Sequence, residues 1–169
     1  MKKIVALLMV IMVKIAVMSG IVLLTACDSD EVDFSHLPSP QEIFDDEISR
    51  FYGDTILMVP IDESRFEEFQ IDVDDTITVI AKEAAISAIF VQLFIIEAQP
   101  DRINAVYSAM LRHQANLQDA TAYPQGAVAA AASVVGVHGN LVYLFCDERA
   151  DEIEGAFNDF LDEYANQDR

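Results

Sequence analysis

The chain contains 169 residues, of which 29 are acidic and ten are basic, and its formal charge is −19. So negative a chain lacks the basic surfaces with which proteins bind nucleic acid or anionic lipid headgroups, and both functions are excluded. A basic protein partner or a cation stays open, and so does a surface that is merely solvated.

The N-terminus has the order of charge and hydropathy that is typical of an export signal. Lys2 and Lys3 precede an apolar stretch from Ile4 to Ala26 that contains no acidic residue. The stretch ends in Leu24-Thr25-Ala26-Cys27, which resembles a bacterial lipobox, where the cysteine thiolate is the nucleophile that receives the lipid. We therefore predict a lipoprotein signal peptide over residues 1–26. The lipid on Cys27 would anchor the chain to the extracytoplasmic face of the cell membrane.

Two alternatives remain for this segment. Ile4 to Ala26 is long enough to cross a bilayer at roughly 20 residues per crossing, so an uncleaved transmembrane anchor is the other interpretation. In either interpretation, the charge of Lys14 would cost free energy at the centre of a buried apolar helix, and one resolution is that translation starts at Met12. Removal of the signal leaves seven basic against 29 acidic residues, or a formal charge of −22.

The mature chain divides into a tether and a domain. Residues 27–38 are acidic and lack periodicity, and they predict a tether. Residues 39–166 have the length of a single α+β domain. Once Cys27 carries lipid, Cys146 has no disulfide partner, and its apolar surroundings in the sequence predict a small core residue.

The first part of the domain gives one clear signal and several weak ones. Ser39-Pro40-Gln41-Glu42 combines an N-cap serine, a first-turn proline and a capping-box glutamate, and it predicts a helix that buries Phe44, Ile48 and Phe51 and ends at Gly53. Weaker patterns predict a short extended piece ending at Pro60, a short helix over Glu63–Phe69, and either strand or helix over Thr76–Ala81.

The C-terminal half gives stronger patterns. Ile89–Ile96 is β-branched and aromatic, and it predicts a buried strand. A helix is predicted from Pro100 to about Ala120, ending before Tyr123-Pro124. Its apolar face would comprise Ile103, Val106, Tyr107, Met110, Leu111 and Leu117. The glycine and alanines of Gly126–Ala132 indicate close packing, or the lining of a shallow groove.

A β-hairpin follows, because two apolar runs flank the dipeptide Gly139-Asn140. Its register would pair Val137 with Val142 and Val135 with Leu144. Ala150 to Tyr164 predicts a final amphipathic helix. The order strand, helix, hairpin, helix predicts an α+β fold with a small antiparallel sheet and helices packed on one face, preceded by short helices.

This order of elements resembles a known family. The lipobox, a short helix ending near Phe51-Tyr52-Gly53, a middle strand, a long helix ending before Tyr123-Pro124-Gln125 and a hairpin around His138–Val142 are similar to the clostridial-type lipoproteins catalogued as domain of unknown function four-three-five-eight. The resemblance extends from about Ile43 to Phe157. It implies attachment to the outer leaflet of a Gram-positive cytoplasmic membrane, and it implies no activity, cofactor or catalytic residue.

From the positions of the histidines and of the acidic clusters in the sequence, we predict no catalytic, cofactor or metal site. His36 falls in the tether and His138 at the hairpin turn, while His113 is expected to be a partly buried, hydrogen-bonded residue at the edge of a helix face. Acidic clusters occur at Asp28–Asp33, Asp45–Glu47 and Asp72–Asp75, and carboxylates are the ligands that calcium prefers. The first and last clusters lack the glycine and glutamate of an EF-hand loop.

The sequence therefore favours a lipid-anchored, non-enzymatic binding or interaction module with an unknown protein or cationic partner. A calcium-binding surface protein is the alternative, and an enzyme of unknown class is less favoured. An open sheet edge or an exposed apolar patch would indicate a partner. A cleft lined by His113 and two or more carboxylates would indicate an enzyme.

Overall fold

The computed structural model describes residues 37–53, 55–86, 89–120 and 124–167. The predicted signal peptide, Cys27 and most of the tether lie outside the described residues, as do His36 and the Asp28–Asp33 cluster. No helix within the described ranges combines the length and the apolarity needed to cross a bilayer.

Five antiparallel strands form one sheet in the order β1-β2-β3-β5-β4. The strands are β1 (Met58–Pro60), β2 (Thr76–Ala84), β3 (Gln92–Ala98), β4 (Val134–His138) and β5 (Leu141–Cys146). Of the three inner strands, β3 and β5 are almost continuously apolar, and every residue of β5 is buried. Such strands need cover on both faces of the sheet.

Among the described residues, four α-helices supply most of that cover: α1 (Pro40–Asp46), α2 (Ile103–Ala120), α3 (Pro124–Ala132) and α4 (Ala150–Gln167). Short 3₁₀ helices occupy Ile48–Phe51, Glu63–Phe69 and Val73–Asp75. The predicted α+β fold with an antiparallel sheet is confirmed.

The helices lie on both faces of the sheet, and the expectation of a single covered face is wrong. On one face, Phe94 and Ile96 of β3 pack with residues of α2, α3 and the Glu63–Phe69 helix. On the other, Leu93 and Ile95 pack with residues of α1, the Ile48–Phe51 helix and α4. All four of these β3 side chains are fully buried. Because neighbouring strand residues point to opposite faces, an apolar run needs two layers of cover.

The predicted capping box at Ser39 is confirmed, but the helix that it begins ends at Asp46 instead of Gly53, and a 3₁₀ helix follows over Ile48–Phe51. Ser39 Oγ accepts a hydrogen bond from the backbone N–H of Glu42 at 3.3 Å, and Glu42 Oε2 accepts one from the Ser39 N–H at 2.8 Å. This reciprocal pair is a capping box. Phe44 and Ile48 are buried and Phe51 is half-buried. Gly53 follows with a φ of +47°, a conformation that glycine adopts without strain.

Of the weaker patterns, the Glu63–Phe69 helix has the predicted bounds, and Thr76–Ala81, for which strand and helix were both open, lies in strand β2. The stronger patterns of the C-terminal half were right in type but less exact in position. β3 begins at Gln92 instead of Ile89, because Ile89 N–H bonds Ile86 C=O in a turn. The long helix α2 begins at Ile103 instead of Pro100, because Arg102 N–H closes a turn onto Gln99 C=O.

The helix α3 was not predicted as a helix. Tyr123-Pro124 suggested only the end of the preceding helix, yet Pro124 is also the first residue of the next one, a position that proline favours. Two residues of this helix, Ala129 and Ala130, are buried in the core, as the prediction of close packing required.

The hairpin of β4 and β5 has the predicted register, with Val137 opposite Val142 and Val135 opposite Leu144. Gly139 adopts a φ of +61° in the turn. Gly136 lies opposite Tyr143, and a Cβ at Gly136 would collide with the Oη and Cζ atoms of Tyr143. The tyrosine ring therefore lies directly over the glycine backbone.

Replacement of Gly136 by alanine should lower the free energy of unfolding by about 1 to 3 kcal/mol. Tyr143 cannot move aside cheaply, because it stacks on Phe145 at 5.1 Å and contacts Phe157 at 4.6 Å between ring centroids. Urea unfolding measures the change. Gly155→Ala is the control, since a Cβ there meets no atom within 4 Å; an equal loss in both variants would contradict the explanation.

Candidate functional site

The outer edge of β4 is the candidate functional surface. Across the described ranges, β4 has a neighbour on one side only, and it ends the sheet with the sequence Val-Val-Gly-Val-His. The opposite edge strand, β1, is three residues long and ends in Pro60. Short length and proline are common protections of an edge strand, and β4 has neither.

The hairpin geometry determines which backbone groups of β4 point outward. In a two-residue hairpin the residues that flank the turn, here His138 and Leu141, exchange both of their hydrogen bonds, and the pattern then alternates. The N–H and C=O groups of Val137 and Val135 therefore point away from β5. None of the turn, loop or cap hydrogen bonds between described residues ends on these four groups. They form the pattern to which a further strand could bind.

One side of this edge is apolar. Val137 is 42% exposed, and Val135 is half-buried against the core on the same face. Leu111 of α2 was expected to be buried, but it is 40% exposed. It lies on the same side of α2 as Gln114, whose Nε2 donates to Ser133 C=O at 2.6 Å just before β4. Leu111 is therefore an exposed apolar residue on the side of α2 that carries the contact of Gln114 with Ser133.

The other side of the edge is acidic. Tyr143 projects over Gly136 and donates from Oη to Glu154 Oε1 of α4 at 2.7 Å, so this carboxylate lies beside the backbone of β4. Burial and the Glu154 carboxylate raise the pKa of Tyr143, which keeps the phenol protonated as a donor. Residues on the same side of α4 follow at spacings of three and four, and they are Asp151, Glu154, Asn158 and Asp162. We call this set the acid row.

The acid row is not neutralised by basic residues of the helix, because α4 contains six acidic residues and no lysine or arginine. The described ranges together hold six basic and 23 acidic residues, a formal charge of −17.

The basic residues make contacts within the domain. Four of the arginines pair with carboxylates: Arg50 with Glu47, Arg65 with Glu83, Arg102 with Asp75, and Arg149 with Asp147. Arg112 donates to Gln70 Oε1 at 2.6 Å, and the Lys82 ammonium lies 4.1 Å from the centroid of the Phe44 ring. The excess charge at the surface is therefore negative.

His113 is hydrogen-bonded, as predicted, but it is buried in the core instead of partly buried at the edge of the helix face. It is 7% exposed, its ring contacts Phe69 and Phe94, and its Nε2 lies 3.0 Å from Gln92 Oε1. Since that oxygen can only accept, the neutral ring donates from Nε2. Burial, with a smaller effect of the Arg65 charge, lowers the pKa of His113 to about 4.

His113 should therefore make the fold sensitive to mild acid. The unfolded chain binds a proton at the ordinary histidine pKa, whereas the folded chain does so only near pH 4, so stability is lost as pH falls from about 6.5. After allowance for solvent screening, we expect the loss to be about 1 kcal/mol larger in the parent than in His113→Gln between pH 7 and 5. Urea unfolding at both pH values measures it, and equal losses would contradict the assignment.

A separate cleft of about 220 Å³ lies where β3 begins and β5 ends. Its polar lining comprises Asp147, Glu148 and Arg149. Asp147 is 2% exposed and accepts from the Arg149 backbone N–H at 2.8 Å, while the Arg149 side chain donates to Phe51 C=O at 3.2 Å. These contacts fasten the end of β5 to the Ile48–Phe51 helix, and His113 is not among the residues that line the cleft.

Cys146 is fully buried, as predicted, and burial raises the pKa of its thiol to about 12. The Asp72–Asp75 cluster has local structural roles, because Asp72 caps a 3₁₀ helix through the Asp74 N–H and Asp75 pairs with Arg102. Within the portion of the chain that the structure describes, no three His, Cys, Asp or Glu side chains are arranged to hold a metal ion.

Sequence reasoning did not identify the β4 edge or the acid row beside it. The hairpin, Val137 and the acidic residues of α4 were all visible in the sequence, but the strand order that leaves β4 outermost was not. Leu111 was assigned to the core from its spacing in the helix. No family model, curated protein or solved structure matches the chain.

Proposed function

We propose that the protein is a lipid-anchored extracytoplasmic binding module that adds an extended segment of a partner protein to β4. The observation that carries the proposal is the outward N–H and C=O groups of Val135 and Val137 at an edge without proline or lysine. Strand addition of this kind takes its affinity from main-chain hydrogen bonds and its specificity from neighbouring side chains.

The remaining polar groups favour binding over catalysis. His113 is held neutral in the core, and Asp147 and Arg149 are bonded to each other in the cleft. The third polar residue of the cleft, Glu148, is exposed, but the enzyme interpretation required carboxylates beside His113, and His113 does not line the cleft.

The location rests on the lipobox and on the resemblance to clostridial-type lipoproteins. A lipid on Cys27, followed by an acidic tether, would hold the domain near the outer face of the cytoplasmic membrane. There β4 would be accessible to other proteins.

The Cys27→Ala variant should lose both lipid incorporation and removal of residues 1–26, because the thiolate of Cys27 is the acceptor of the lipid. Metabolic labelling with a tagged fatty acid and mass spectrometry of the product measure both. Cys146→Ala, at the other cysteine of the chain, should keep both. An unlabelled parent that retains residues 1–26 would instead support a transmembrane anchor.

A photo-crosslinking amino acid at position 137, in the lipidated protein in its own membrane, should give discrete adducts with a partner. Val73 is the matched control position, because its exposure of 44% is close to the 42% of Val137 and it lies on another element.

Val135→Pro should reduce the adducts at position 137 at least tenfold, because proline removes an outward N–H without breaking the β4–β5 ladder. Val135→Thr keeps that N–H and should keep the adducts. Equal adducts from positions 137 and 73, or adducts that survive Val135→Pro, would contradict strand addition.

A further inference from the structure

The two sides of the β4 edge differ in chemistry, and this difference limits what can bind there. Side chains of an added strand would point alternately to the two faces of the sheet. On one face they would meet Val137 and Leu111, which are 42% and 40% exposed. On the other they would meet the acid row, with Glu154 fixed beside Gly136 by the hydroxyl of Tyr143.

We infer that the β4 edge binds an extended segment in which apolar and basic side chains alternate. This inference rests on the proposed strand addition and names the chemistry of the partner. Apolar side chains would cover Val137 and Leu111, and lysine or arginine side chains would pair with Glu154 and the neighbouring carboxylates of α4. Opposite charges across strands stabilise pairing, and like charges destabilise it.

Charge also argues against a second copy of the chain as the occupant. Two β4 edges paired antiparallel would bring two acid rows to one continuous sheet. The described ranges carry a formal charge of −17, and their six basic residues are already in contact with carboxylate, amide or aromatic groups of the same domain. A basic segment from another protein relieves this charge, whereas a second copy doubles it.

Glu154 should be the position that selects the basic side chain. It is half-buried, and its bond from Tyr143 fixes the carboxylate at the edge. Glu163 supplies the matched control on the same helix, because nine residues at 100° each place it on the opposite side of α4. Glu154→Gln and Glu163→Gln change the net charge equally, and a glutamine at position 154 can still accept from Tyr143.

The test uses capped eight-residue peptides that alternate lysine with valine or glutamate with valine, and the full mature chain. Fluorescence anisotropy gives the affinity, and amide hydrogen exchange by NMR reports on β4. The lysine peptide should slow exchange at Val135 and Val137, and leave Gly136, already bonded in the ladder, unchanged. Its affinity should exceed that of the glutamate peptide at least tenfold and fall as salt rises.

In the same assay, Glu154→Gln should weaken binding of the lysine peptide about threefold to tenfold, while Glu163→Gln should change it less than twofold. Equal weakening by both variants would overturn the role of Glu154. It would mean that the net charge of the protein alone accounts for binding of the lysine peptide.

The remaining outcomes separate the inference from the proposed function. If both peptides slow exchange at Val135 and Val137 equally, strand addition stands and the selection for basic residues is wrong. If neither peptide slows exchange there, the proposed function itself is wrong. Slow exchange that depends on protein concentration without peptide would assign the edge to a second copy and overturn the inference.

Discussion

The fold depends on covering the inner strands β3 and β5 on both faces. Leu93, Phe94, Ile95 and Ile96 are consecutive and fully buried, so each alternate pair needs its own layer of helices. One layer comes from α2, α3 and the Glu63–Phe69 helix, and the other from α1, the Ile48–Phe51 helix and α4. The N-terminal elements are therefore part of the core, although they are short. Because the helices cover the middle of the sheet, its edge strands are less covered, and β4 is one of these edge strands.

The features that were predicted correctly from the sequence are those that a few neighbouring residues determine. Ser39 and Glu42 are three residues apart, and the hairpin register follows from a two-residue turn, so the capping box and the residue pairs of the hairpin were both predicted correctly. The end of one helix and the start of the next at Pro124 were not separated, because proline is compatible with both.

What the sequence did not predict depends on contacts between distant segments. Strand order and the choice of covered face depend on residues such as Ile43 and Phe157. They pack in the same core cluster although they are far apart in the sequence. Leu111 illustrates the consequence, since its spacing in the helix is that of a core residue and yet it is 40% exposed. The candidate surface was missed because it arises from that order. An open sheet edge had been expected only as the general mark of a binding module.

An edge strand that binds a further strand usually supplies both the backbone groups that pair and the side chains that select the partner. The contact between Gly136 and Tyr143 places these two sets of groups on different elements. Because Gly136 has no side chain, the surface above the middle of β4 consists of a ring from β5 and a carboxylate from α4. In the proposed strand addition, β4 would then contribute mainly backbone, and the selective groups would belong to elements that are anchored in the core. Substitutions along the exposed side of α4 would alter the choice of partner while the hairpin kept its geometry. Under that proposal, the affinity and the selectivity of this edge would evolve independently of each other.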